Sequence, residues 1–169
     1  KEGDFEYFRK NWNIAKALCI GSSHELNQLP CQDALRCVET DQLCLAVVAD
    51  GVGSLCNSQI AAEVAVRQAA VWVENHYSAL YNPSAASMEI HSKLLPYLRH
   101  QILQTAQSDG LSPSTMDCNL AFACILPERG FAIWGVLGDG AVCVLRKDRQ
   151  YVFSCVNTMI ANTTQTILM

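Results

Sequence analysis

A chain of 169 residues, half of them hydrophobic, is long enough to bury one core and reads as a single domain. Its formal net charge of −4 and isoelectric point near 5.5 give no support for nucleic-acid binding through bulk electrostatics. No apolar run approaches the roughly 20 residues of a membrane helix, and the polar start Lys1-Glu2-Gly3-Asp4 shows no signal-peptide pattern, so no membrane partner is expected. The nine cysteines are odd in number, form no CxxC pair and sit mostly inside apolar strand-like runs. They read as reduced, small hydrophobes of a cytoplasmic protein, not as a zinc ribbon or a disulfide scaffold.

Residues 1–13 are mixed and polar, with Phe5, Tyr7, Phe8 and Trp12 as anchors for a short lead-in helix or strand. Residues 14–20 alternate well enough for a strand. Gly21-Ser22-Ser23-His24 breaks it, and a polar loop runs on to Pro30. Residues 35–38 make a second strand, and Thr40-Asp41-Gln42 turns the chain into a continuous apolar run over 43–49. That run is short, rich in Val and Leu, and closed by glycines, so it reads as a buried strand. It ends by pushing Asp50 out of the core into a tight turn. There Gly51 and Gly53 let the backbone take conformations closed to other residues and expose carbonyls.

A helix is expected over 58–79, capped by Asn57 or Ser58. Its polar residues Gln59, Glu63, Arg67 and Glu74 fall on one narrow stripe, and nearly all the rest is Ala, Val, Ile or Trp. Such a helix buries most of its circumference, and its alanines allow close approach to a sheet. After a break at Tyr81-Asn82-Pro83-Ser84, a second helix is expected over 85–107. Leu94, Leu95, Leu98, Ile102 and Leu103 line one face of it, and Pro96 kinks or splits it. A loop over 108–114 leads to four short strands, 120–126, 131–137, 141–146 and 151–156, joined by tight turns as an antiparallel meander. Strands, then two long helices, then strands make an α+β arrangement. Trp72 and Trp134 read as core or partly buried aromatics, His76, His91 and His100 as solvated helix residues, and Cys56 as a buried, inert thiol.

Three acidic residues mark strand ends or turns: Asp33 before a strand, Asp50 after one, Asp139 between two. Singly each is an ordinary turn aspartate. Together they are candidates to meet at one edge of a sheet, because the turn at 40–42 folds the second strand back along the first. A carboxylate beside a free carbonyl on a rigid strand end begins a site for a hard divalent cation, which takes oxygen ligands.

In this order, Gly21-Ser22-Ser23-His24, Pro30-Cys31-Gln32-Asp33-Ala34, Val48-Ala49-Asp50-Gly51-Val52-Gly53-Ser54 and Gly138-Asp139-Gly140 resemble the metal-dependent type 2C serine/threonine protein phosphatases, most of all their bacterial branch. The resemblance implies an αββα sandwich of two antiparallel sheets flanked by helices. It implies hydrolysis of phosphoserine and phosphothreonine in a phosphorylated protein partner. Two Mn²⁺ or Mg²⁺ ions would hold a bridging water, lower its pKa and neutralise phosphoryl charge. By the same resemblance Asp50 is the carboxylate shared by both ions, Gly51 gives its backbone carbonyl to one, and Asp33 acts through metal-bound water. Asp33 and Asp50 are thus the catalytic pair and Asp139 a supporting residue. His24 stands where many members carry a phosphate-gripping arginine, which makes it the phosphate-binding candidate.

The chain also departs from the pattern. Where the family opens the strand after the helices with a small-Thr-Thr motif, this chain has Asp117-Cys118-Asn119, with Asp117 read as a turn or strand-start residue. Two later metal-binding aspartates of the family, in Asp-Gly and Asp-Asn motifs, are not reached, and Asp148 does not match either. Residues 1–169 therefore read as one phosphatase-like domain, the N-terminal two-thirds of the expected fold and incomplete at its C-terminus. At most one weak cation site and little turnover are expected, with unpaired sheet edges that invite self-association. Two rival readings are a non-catalytic phosphatase-like binding or regulatory module, and an unrelated carboxylate-metal hydrolase that shares only turn chemistry.

Overall fold

A computed structural model describes residues 14–127, 131–145 and 151–156. The lead-in over 1–13 with its aromatic anchors, the turn centres at 128–130 and 147–149, and the tail over 157–169 lie outside the described residues. The elements run α1 (Ser22–Leu26), β1 (Ala34–Glu39), β2 (Cys44–Gly51), α2 (Ser58–His76), a 3-10 turn (Tyr77–Tyr81), α3 (Pro83–Glu89), a π turn (Ile90–Leu94), α4 (Leu95–Ser108), a 3-10 turn (Pro113–Thr115), then β3 (Cys118–Leu126), β4 (Phe131–Leu137), β5 (Gly140–Leu145) and β6 (Tyr151–Val156). The α+β arrangement is the one expected.

Strands β1-β2-β3-β4 form one antiparallel sheet in that order, and β5-β6 form a separate hairpin. Side chains alternate across a strand, so each strand has two faces. Leu45, Val47 and Ala49 of β2, with their partners Cys124, Phe122 and Leu120 of β3, are buried on one face. Helix α2 covers that face, lying against β1, β2 and β3, and α4 packs against α2. Ala61, Ala62, Ala65, Ala69 and Ala70 are buried along α2, and short side chains let the helix lie close on the sheet. The opposite face carries Val48, Asp50, Asn119 and Ala121. The β5-β6 hairpin packs there: a Cβ on Gly140 would lie 3.1 Å from Val136 Cγ1 and 3.7 Å from Ala121 Cβ. The described residues thus form a helix layer, a sheet and a hairpin, with no second helix layer among them.

Several local expectations are corrected. Residues 14–20 form no strand; the segment is unpaired among the described residues and 15–20 are exposed, since alternation alone supplies no partner edge. The loop after Gly21 contains the short helix α1. The helix over 58–79 gives way at His76 to a 3-10 turn. Neither proposed cap accepts from the first turn of α2: Asn57 Nδ2 instead donates to Thr115 Oγ1 at 2.9 Å, and Ser58 Oγ donates to the Leu55 carbonyl at 3.1 Å. The four-strand meander breaks after β4, because Gly138, at φ +83°, turns the chain out of the first sheet and across its face. Cys56 is exposed, not buried.

The second helical segment splits where Pro96 demands it. Proline has no N–H to continue the ladder, and the turn before it widens, with the Leu95 N–H donating to the Ile90 carbonyl. Beyond that turn Leu94, Leu98, Ile102 and Ala106 are buried at four-residue spacing, while Leu103 is 42 % exposed and leaves the expected stripe. Trp72 and Trp134 behave as read: Trp72 is buried and stacks on His76, ring centroids 4.6 Å apart, and Trp134 is half-buried. Eight cysteines are free among the described residues. Burial pushes the thiol of Cys118 far up and that of Cys124 up to about 12, which keeps both protonated and inert.

Leu45 is fully buried in the central strand, so Leu45→Ala is expected to cost about 2–5 kcal/mol in urea unfolding. Leu103→Ala should stay within about 0.5 kcal/mol of the parent.

Candidate functional site

The hairpin β1-β2 pairs Ala34 with Ala49. One step further along the same register, Asp33 faces Asp50, and Asp50 is itself paired with Asn119 of β3. Asp33, Asp50 and Asn119 therefore stand in one row across three adjacent strands, on the face away from the helices. Together with Ala17, Leu18, Asp139 and the start of β5 they line a cleft of about 240 Å³. Asp33, Asp50 and Asp139 are exposed to solvent there, while Asn119 is only 8 % exposed.

The carboxyl of Asp50 is raised above the ordinary aspartate value. Partial burial is the first cause; the hydrogen bond with Asp33 and the Asp33 charge follow, and the charge of Asp139 adds to them. A hydrogen bond from Asn119 acts in the opposite sense. Neighbouring carboxylates repel when both are ionised, and that repulsion acts in the same upward sense as the burial of Asp50.

The turn after Asp50 is held from below. The Gly51 N–H donates to the Gln32 carbonyl at 3.1 Å, Gln32 Nε2 donates to the Leu55 carbonyl at 2.8 Å, and the Val52 N–H donates to the Asp117 carbonyl at 3.1 Å. Gln32 thereby grips both ends of the loop 51–55. A Cβ on Gly51 would collide with the Gln32 carbonyl oxygen and sit 3.0 Å from the backbone of Ser58. Only glycine lets β2 approach the start of α2 this closely. Asp117 is buried and stands directly before β3, the strand-start position expected, with its Oδ1 accepting from the Cys118 N–H at 2.9 Å.

His24 does not line the cleft. Its Nδ1 donates to the Pro30 carbonyl at 2.9 Å and closes the loop that leads to Asp33. Asn119 lies beside Asp50 and was missed by sequence reasoning. The signal that could have found it is a polar residue standing directly before the apolar run of β3.

The donors in the cleft are all oxygens, which suits Mg²⁺ or Mn²⁺ and not a soft metal. Among the described residues no group of three or more His, Cys, Asp or Glu side chains gathers closely enough to hold an ion. Asp139 lines the same cleft, and its charge acts on Asp50. A hard cation taken up there would draw on the Asp50 and Asp33 carboxylates, completed by backbone oxygen and water. One observation supports it: Asn119 Oδ1, in the same row, is buried without a hydrogen-bond partner.

A family model described as "Protein phosphatase 2C" matches residues 20–169. The comparisons with curated proteins and with solved structures returned no match.

Linkage fixes the sign of a test. A carboxyl raised on folding contributes stability that is fully present below its ordinary value and is lost as pH rises through the raised one. In the metal-free protein, Asp50→Asn should therefore melt like the parent in acid and above it at neutral pH. Differential scanning calorimetry across that range checks this; a variant that melts below the parent at neutral pH would contradict it.

Proposed function

The chain belongs to the protein phosphatase 2C family, and from that premise we propose that its cleft serves divalent-cation-dependent hydrolysis of phosphoserine and phosphothreonine in proteins. The observation that carries this is the placing of Asp33 and Asp50, which the β1–β2 register sets opposite each other in one cleft at the end of a buried strand. Mn²⁺ or Mg²⁺ bound there would supply Lewis acidity and neutralise phosphoryl charge.

The protein's own residues have separable tasks in this reading. Asp50 holds the cation, with the Gly51 carbonyl beside it. Asp33 faces Asp50 and accepts a proton from water. The Gln32 clamp fixes the turn that carries Asp50 and Gly51. Asp139 adds negative charge at the cleft mouth, from the turn between β4 and β5. His24 stands outside the cleft lining with its Nδ1 committed to Pro30, so a phosphate contact from it would run through Nε2 to the part of a substrate beyond the cleft. Residues 1–169 act as one phosphatase-like domain, in a reducing cytoplasmic setting that suits the free thiols. Among the described residues no helix is long and apolar enough to cross a membrane.

The small set of close carboxylates also favours a bounded capacity: this chain binds at most one divalent ion, weakly, and turns over slowly. Calorimetric titration with Mn²⁺ should give a single weak isotherm; two tight sites would refute the bound. A phosphoserine peptide incubated with Mn²⁺ should release inorganic phosphate slowly, and Asp50→Asn should reduce release to background. Turnover that persists in chelator, or in that variant, sinks the hydrolase reading. Retention of the phosphopeptide with no release by the parent chain favours the second reading, a phosphatase-like binding module, which rests on the absence of a third close carboxylate among the described residues.

A further inference from the structure

Asn119 stands out among the residues lining the cleft. It sits near the start of the inner strand β3, next to Asp50 in register, and is more than nine-tenths buried. A buried amide without an acceptor's partner costs free energy, and Oδ1 has none among the described residues. The neighbours on its face explain why. Ala121 follows it on β3, Val48 precedes Asp50 on β2, and Gly140 and Ala141 lie across the cleft. None of these carries a side-chain donor. Oδ1 is thus a buried acceptor without a donor among the described residues, in the wall of the cleft that Asn119 shares with Asp33 and Asp50.

We propose that Asn119 is a positioning residue of the cation site: its amide nitrogen holds the Asp50 carboxylate toward Asp33, and its Oδ1 supplies a neutral oxygen to the hydrated divalent cation that the pair attracts. The inference rests on the reading of Asp33 and Asp50 as the cation-binding pair and adds a third oxygen from the neighbouring strand. An amide suits that position better than an acid, because a third carboxylate in the row would add like-charge repulsion between neighbours. Outer partners that orient a ligating carboxylate carry a large share of metal affinity.

The test uses the whole chain and Mn²⁺ alone, with free ion followed by electron paramagnetic resonance and folding by circular dichroism. Asn119→Leu is nearly isosteric and keeps the burial while removing both amide groups. It should weaken Mn²⁺ binding by about 10-fold or more and leave the secondary structure intact. Asn119→Asp separates the role from simple packing. It should lower the melting temperature without metal, yet bind Mn²⁺ at least as tightly as the parent and gain a larger melting shift on adding the ion. If both variants bind Mn²⁺ with parental affinity, Asn119 takes no part. If Asn119→Asp loses affinity along with stability, its role is only structural and the inference fails. Asp50→Asn serves as the reference. Loss of Mn²⁺ binding there, with no change in the Asn119 variants, overturns this inference while leaving the cation-binding pair standing. Unchanged binding in Asp50→Asn overturns both.

Discussion

The parity of β2 governs the molecule. Leu45, Val47 and Ala49 are buried against α2 and must stay on that face. A strand has a period of two, so Val48 and Asp50 are forced to the other side. A slip of one residue would drive the Asp50 carboxylate under an alanine-lined helix, where nothing could solvate it. The dense packing of α2 on the sheet therefore decides where the charge stands. The neighbours of Asp50 follow from the same register: Asp33 on one side, Asn119 on the other.

This placement works against folding. Two carboxylates held within hydrogen-bonding reach repel once ionised, and partial burial weakens the screening water would give. The sheet compensates with apolar burial on its other face, from Leu45 through Phe122 to Ile102 and Leu98. A divalent cation in the cleft would reverse the sign of the interaction, turning the repelling pair into two ligands. Anything that binds only the folded state stabilises it by mass action. The local strain and the proposed activity thus arise from one arrangement.

The strands of the central sheet were legible because each signal was local. The apolar run at 43–49, the turn at 40–42 and the strand candidates at 35–38 and 120–126 all report their own burial. The proximity of Asp33 and Asp50 was legible too, since one hairpin joins them. Asn119 was not, because its place beside Asp50 depends on β3 pairing with β2 across the whole helical insertion, and no local pattern encodes that register. The same blindness produced the failed strand at 14–20, which had alternation but no partner edge, and the failed cap at Asn57, whose amide is drawn to Thr115 from 58 residues away. Cys56 was misplaced because a residue just before a helix can face either way, and only the packing of α2 decides.

Two buried side-chain amides bracket the acidic turn, and the alternation of β1 and β3 gives them different work. Gln32 shares the helix-side face with Ala34, so its reach is inward: it holds Gly51 through its carbonyl and Leu55 through its amide nitrogen. Asn119 shares the opposite face with Ala121, so its reach is into the cleft. Gln32 controls where the backbone of the turn sits, and Asn119 controls where the Asp50 side chain points. Backbone and carboxylate are thereby fixed by separate residues on separate strands. A cation that needs both a main-chain oxygen and a carboxylate depends on the two being held in step, which a turn aspartate with a flexible neighbour would not achieve.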